Sequence, residues 1–235
     1  MSTQLPILLD QWQQTVNWQP TDQQLQKFQQ FYDLINVANH SLNLTRILEP
    51  EAFWEKHLWD SLQPIVATDL ASNLSGAVID LGTGGGFPGI PIAICRPDWS
   101  VTVVDSTAKK INFIQSSLAT LQLSNVQTVI GRAETLNQDR TYRQQYQLVT
   151  LRAVANAAVC AGYALPFLAV GGVAILYRGQ WSTQEQVDLG QAAKRWGGEI
   201  VEVKEFQTPL TLGVRHCVYL RKVSNTPGLV TKSSG

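Results

Sequence analysis

The sequence predicts an α/β fold of the Rossmann-like kind. The expected sheet has seven strands, mostly parallel, with the last strand antiparallel and a helical extension in front. Three observations predict it. Residues 1–75 carry helical periodicity and no strand pattern. From residue 77, short apolar runs alternate with amphipathic segments, the mark of parallel strands joined by helices. The last two apolar runs have no helix between them, so they should pair antiparallel.

In the N-terminal segment, Ile7, Leu8, Trp12 and Val16 recur at helical spacing. Thr21-Asp-Gln-Gln24 reads as a capping box, and Leu25, Phe28, Phe31, Tyr32 and Ile35 follow on one stripe. That aromatic stripe is expected to be core rather than a base-stacking platform. Phe53, Trp54, His57, Leu58 and Leu62 suggest a further helix, opened by Pro50-Glu51 and closed before Pro64. Strands are expected at Val78–Leu81, Val101–Val104, Val126–Ile130, Leu148–Leu151 and Val173–Tyr177, with helices near 90–96, 107–121, 154–169 and 182–197. Ile200–Phe206 and Arg215–Val223 form the antiparallel finish. The division is an extension over 1–75, a cofactor-binding domain over 76–223 and a flexible tail over 224–235.

Composition narrows the class. At 235 residues and 44% hydrophobic, the chain can bury a sizeable core. No apolar run approaches the roughly 18 residues of a membrane span, and Met1-Ser-Thr-Gln-Leu-Pro6 lacks the features of a signal peptide. Cys95, Cys160 and Cys217 are widely spaced, which suits reduced thiols in a cytoplasmic protein. Net charge is zero but uneven. Residues 1–75 hold three Lys/Arg against eight Asp/Glu, and residues 76–235 hold fifteen against ten. A modestly basic second half can meet an anionic partner.

The chemistry concentrates in Asp80-Leu-Gly-Thr-Gly-Gly-Gly-Phe-Pro-Gly-Ile-Pro91. A buried strand, a glycine loop and a helix start form a nucleotide-cofactor layout. Gly84-x-Gly86-x-x-Gly89 fits the dinucleotide fingerprint, and Asp80-x-Gly82-x-Gly84-x-Gly86 fits the first motif of S-adenosylmethionine (SAM) methyltransferases. Pro88 removes an N–H from the segment that would face a pyrophosphate, which counts against the dinucleotide register. A glycine-rich turn that binds nothing is the plain alternative. Ligands of such sheets lie beyond the carboxyl ends of the strands. Those ends deliver Gly82 and Phe87, then Asp105-Ser106-Thr107, then Gly131-Arg-Ala133-Glu134, then Arg152, then Arg178-Gly179. Asp105 suits ribose hydroxyls, and Ala133-Glu134 suit an adenine edge. Each has a structural alternative: Asp105 as a helix cap, Glu134 as a partner of Arg132, Arg152 as an ion-pair member. Five parallel strands with an antiparallel finish are also the arrangement of class I methyltransferases.

These residues resemble the glucose-inhibited division protein B family of 16S rRNA guanine-N7 methyltransferases. The resemblance rests on the loop ending Gly86-Phe-Pro-Gly89, on Asn43-Leu-Thr45, on His57-x-x-Asp60-Ser-Leu62 and on Arg152-Ala153. It covers roughly residues 25–180. Leu151 stands where the family often has serine, and Tyr177-Arg178-Gly179 where it often has leucine-lysine-glycine. The resemblance implies SAM contacts at Gly82, Phe87, Asp105, Ser106, Thr107, Ala133, Glu134 and Arg152. It implies methylation of guanine N7 in 16S rRNA, at conventional position 527, on free rRNA or the small ribosomal subunit. It also implies a cytoplasmic monomer with no metal and no membrane partner. N7 is an unprotonated acceptor, so the reaction needs no general base, and no catalytic base is expected. Arg132, Arg152, Arg178, Arg215 and Lys222 are candidate phosphate contacts from charge alone. Two other readings stand beside this one: an NAD(P)-dependent oxidoreductase, and a non-catalytic RNA-binding or assembly module on a SAM fold.

Overall fold

A computed structural model describes residues 4–67 and 76–226. The proposed tail from residue 227 onward lies outside them. Helices α1 (Leu9–Val16) and α2 (Asp22–Leu42) open the chain, and Thr21 and Gln24 close the expected capping box on α2. A short helix α3 (Pro50–Phe53) runs into a π-helical turn (Trp54–Trp59) and then helix α4 (Asp60–Val66). The helix therefore continues past Pro64 instead of stopping before it. An interior proline costs about 3 kcal/mol. Full burial of Leu62, Pro64 and Ile65 in the core offsets that cost.

Strands β1 (Ala77–Leu81), β2 (Ser100–Asp105), β3 (Val126–Ile130), β4 (Tyr146–Arg152), β5 (Leu168–Arg178), β6 (Gly198–Gln207) and β7 (Val214–Lys222) form one sheet in the order 3-2-1-4-5-7-6. β1 to β5 pair in parallel, and β7 runs antiparallel to both β5 and β6. Helices α5 (Gly89–Cys95), α6 (Ala108–Thr120), α7 (Ala133–Leu136), α8 (Ala157–Ala164) and α9 (Thr183–Arg195) connect the strands. The seven expected strands are all present. Helix α8 is shorter than the expected 154–169, because the Asn156 side chain caps it by accepting from Val159 N–H at 3.0 Å. Strand β5 also starts five residues early, through a register shift opposite Tyr146 and Leu148.

Strand residues alternate between two cores, as period two requires of a sheet covered on both sides. Val78, Val173, Ile175, Tyr177, Cys217 and Tyr219 face one core, shared with Trp12, Phe28, Phe31, Trp54 and Leu58 of the N-terminal helices. Ile79, Val149, Ala174, Leu176, Val218 and Leu220 face the other, with α8 and α9. The aromatic stripe of α2 is core. The sheet order reverses between β1 and β4, so a crevice opens there at the carboxyl ends.

Candidate functional site

The glycine loop is stitched down from within. Gly82 and Thr83 both donate their N–H to Val104 O at 2.9 Å. Gly84 N–H donates to Asp105 Oδ2 at 3.0 Å. Gly86 and Phe87 donate to Thr83 O, and Gly89 donates to Asp80 Oδ2 at 2.9 Å. These six N–H groups are therefore already taken. A pyrophosphate is bound by free N–H groups at such a loop. A loop that spends its donors internally fits a cofactor without phosphates.

Asp80 is the staple of this loop and was not foreseen as such. It is fully buried, and its Oδ1 accepts from Thr150 Oγ1 at 2.9 Å. Burial pushes its pKa up, against hydrogen bonds from Thr150 and Gly89. Two glycines are dictated by space. Gly82 has φ +74°, and a Cβ there would meet Val154 Cγ2 at 2.7 Å. A Cβ on Gly89 would meet Val103 Cγ1 at 2.5 Å, so only glycine lets α5 lie this close to β2.

Three hollows run along the sheet edge. The first, about 250 Å³, is lined by Gly82, Asp105, Ser106, Ala133, Glu134 and Tyr163 among others. The second, about 360 Å³, is lined by Leu44, His57, Gly82, Phe87, Asp105 and Arg152 among others. The third, about 630 Å³, is lined by Asp60, Arg152, Tyr177, Arg178, Arg215 and His216 among others. Gly82 and Asp105 are common to the first two, and Arg152 to the second and third. Seven of the eight expected cofactor residues thus converge. Thr107 sits at the exposed start of α6 and lines none of the three; its N–H donates to Asp105 Oδ1 at 2.8 Å.

Asp105 uses two of its acceptor positions on Gly84 and Thr107 and keeps capacity for two more. Glu134 is about half exposed and lies 3.8 Å from Arg132, so its structural alternative is realised in this structure. Arg152 is likewise tied down. It donates to Lys56 O at 2.9 Å, lies 3.5 Å from Asp60 Oδ2, and sits over the Phe87 ring at 5.3 Å. The next residue, Ala153, is held at φ +55°, a left-handed conformation that alanine rarely adopts.

His57 packs flat on Phe87, with ring centroids 4.2 Å apart. Its Nδ1 lies 3.3 Å from Arg152 Nη2, and its Nε2 lies 2.7 Å from Thr45 Oγ1. A guanidinium only donates, so Nδ1 is the acceptor and Nε2 carries the proton. Burial, reinforced by the Arg152 charge, lowers the His57 pKa from 6.5 to about 3. His57 is therefore packed and neutral. Asn43-Leu-Thr45 gains a physical role here. Asn43 ends α2 at φ +49°, Leu44 lines the second hollow, and Thr45 tethers His57.

The phosphate candidates separate. Arg132 is well exposed. Arg178 is committed to Ala155 O at 2.7 Å and Glu185 Oε1 at 3.0 Å. Arg215 is partly exposed, 3.7 Å from Asp60 Oδ1. Lys222 must be withdrawn: it is fully buried, and Nζ donates to Trp196 O and Thr226 Oγ1. It lies on β7, where the strand runs under the second core and away from the site edge. Asp60, Lys110, Val154 and Tyr163 line the hollows and were not singled out as site residues. Only the His57-x-x-Asp60 mark could have signalled one of them. Among the described residues, no group of three His, Cys, Asp or Glu is placed to hold a metal ion. No described helix is long and apolar enough to cross a membrane.

Residues 24–218 match the family model described as rRNA small subunit methyltransferase G. The chain is 50% identical over 238 residues to the ribosomal RNA small subunit methyltransferase G of Trichormus variabilis, covering 100% of this chain and 97% of that one. It is 52% identical over 223 residues to the enzyme of that name from Microcystis aeruginosa, covering 93% and 99%. Among solved structures, a mutant 16S rRNA (adenine(1408)-N(1))-methyltransferase with cosubstrate SAM from Catenulisporales acidiphilia aligns with TM-score 0.55 and 16% identity, over 67% of this chain and 89% of that one. A branched-chain polyamine synthase from Thermus thermophilus aligns with TM-score 0.58 and 12% identity, over 72% and 57%. At such identities the structural likeness shows the fold alone, and the polyamine synthase shows why: one fold hosts different chemistries.

Proposed function

The chain belongs to the rRNA small subunit methyltransferase G family, and from that membership we propose that it methylates N7 of a guanine in 16S rRNA. It is a SAM-dependent rRNA methyltransferase with a Rossmann-like fold. The observation that carries the finer reading is the joined run of hollows: Gly82 and Asp105 link the first to the second, and Arg152 links the second to the third. The donor set fits SAM, because six of the loop N–H groups are spent internally while Asp105 keeps acceptor capacity.

When bound, SAM supplies a methyl group made electrophilic by its sulfonium. Asp105 would accept the ribose hydroxyls, Ala133 and Glu134 would border the adenine, and Gly82 would let the cofactor come close to the backbone. Ser106 lines the first hollow, and Thr107 steadies Asp105 by donating its N–H to Oδ1. Phe87, fixed by Phe31, Phe53 and His57, walls the methyl side of the second hollow. Arg152 stands between cofactor and base. N7 carries its own lone pair, so the chain's task is positioning and water exclusion rather than proton transfer. The deep groove of duplex RNA hides N7, so the target lies in an irregular or opened segment. We place the active form in the cytoplasm, where small-subunit rRNA is found, and read it as a monomer.

The test is methyl transfer from labelled SAM to small-subunit rRNA, free and assembled, with the product base identified by mass spectrometry. Label on guanine N7 supports the reading, and label on another atom rejects it.

A further inference from the structure

We propose that Asp60 reads the target base, accepting hydrogen bonds from guanine N1–H and the N2 amino group in the third hollow. The inference rests on the guanine-N7 reading above and goes beyond it by naming the residue that selects guanine. Asp60 is 8% exposed, yet it lines a hollow of about 630 Å³. Its two ion pairs are long, 3.5 Å to Arg152 Nη1 and 3.7 Å to Arg215 Nε. A well-formed charge-assisted hydrogen bond is about 2.7–2.9 Å. Each carboxylate oxygen keeps acceptor capacity beyond these long contacts; burial raises the Asp60 pKa, and the facing Arg152 and Arg215 charges oppose that rise and favour the carboxylate.

The chemistry of the base matches. Guanine presents adjacent N1–H and N2–H donors, which fit the two oxygens of one carboxylate. Adenine offers an acceptor at N1 and has no amino group at C2, so it would leave Asp60 facing a lone pair. O6 lies between N1 and N7 on the base. Arg152 lies between the Asp60 hollow and the Phe87 hollow, where a guanidinium can donate to O6. The arrangement favours the reaction as well as the base. The N7–carbon bond forms as the carbon–sulfur bond breaks, with the electron pair left on sulfur. The guanine ring then carries the positive charge, and its N1–H and N2–H become stronger donors. A fixed carboxylate facing those donors is worth more in the transition state than in the ground state.

The test compares guanine with inosine, which lacks only the N2 amino group, at the methylated position of ligated small-subunit rRNA. The wild-type enzyme should lose about 10- to 100-fold in kcat/KM on inosine. D60N should lose activity on guanine yet show an inosine penalty within about twofold of none, a change of base preference that a shift of Arg152 against the cofactor would not produce. A purely structural role for Asp60 would not erase the inosine penalty. The wild-type comparison stands even where D60N fails to fold. Equal rates on guanine and inosine overturn the Asp60 assignment alone, as does a full penalty retained in D60N. Absence of N7 methylation by the wild-type enzyme on guanine rRNA overturns the underlying reading, and this one with it.

Discussion

Phe87, His57 and Arg152 form one stack, and its energetics depend on His57 staying neutral. Burial and the Arg152 charge hold its pKa at about 3, against 6.5 for a free histidine. Between those values the unfolded chain binds a proton that the folded chain does not, so stability falls as pH falls through that window. His57→Gln, which cannot titrate, should show a smaller loss of Tm than wild type from neutral pH to about 5. Parallel losses in the two proteins would place the effect elsewhere. Asp105 tests the cofactor side. Asp105→Ala should weaken SAM by about 1–3 kcal/mol in titration calorimetry, through lost charge-assisted hydrogen bonds. Unchanged affinity would contradict its ribose role. At this scale the placement of Gly82, Phe87, Asp105 and Arg152 at the sheet edge was legible, because strand ends and loop spacing announce it. Asp60 reaches the edge through packing of the N-terminal helices, which only the His57-x-x-Asp60 mark hints at, and Val154, just past the end of β4, was passed over because its side chain carries no chemistry.

Among the elements, the turn Trp54–Trp59 does the positioning. Its π winding puts the Lys56 carbonyl on Arg152 and the His57 ring on Phe87. The same turn anchors the β6–β7 loop. Glu55 is buried and accepts from Leu210 N–H, Thr211 N–H and Thr211 Oγ1, each at 2.7 Å. Burial raises its pKa, and these bonds outweigh burial, leaving it below the ordinary value. Glu55→Gln should cost about 1–3 kcal/mol of stability in urea unfolding, because a neutral amide oxygen accepts more weakly. A cost near zero would show that the loop holds without it. Strands and long helices could be read from periodicity alone. The π turn, the run of helix through Pro64 and the early start of β5 could not. They follow from burial of Leu62 and Ile65 and from a register shift, which are long-range effects.

The whole molecule places an N-terminal helical segment and a cofactor sheet around one shared core, so Leu44, Thr45, His57 and Asp60 reach the crevice from outside the sheet. The seven-stranded order was predictable from alternation and from the missing helix before β7. The way the helices close over the edge was not, since amphipathic stripes fix a buried face but not a docking angle. At this scale the choice of cofactor is testable with the intact protein. Calorimetry should give saturable binding of SAM and none of NAD, because Gly82, Thr83, Gly84, Gly86, Phe87 and Gly89 have no N–H to spare for a pyrophosphate. The central claim, methyl transfer to N7 of a small-subunit guanine, is tested most directly by mapping labelled methyl on small-subunit rRNA by mass spectrometry. Label at N7 of a single guanine is the expected result, and label at any other atom, or none with SAM bound, rules that reaction out.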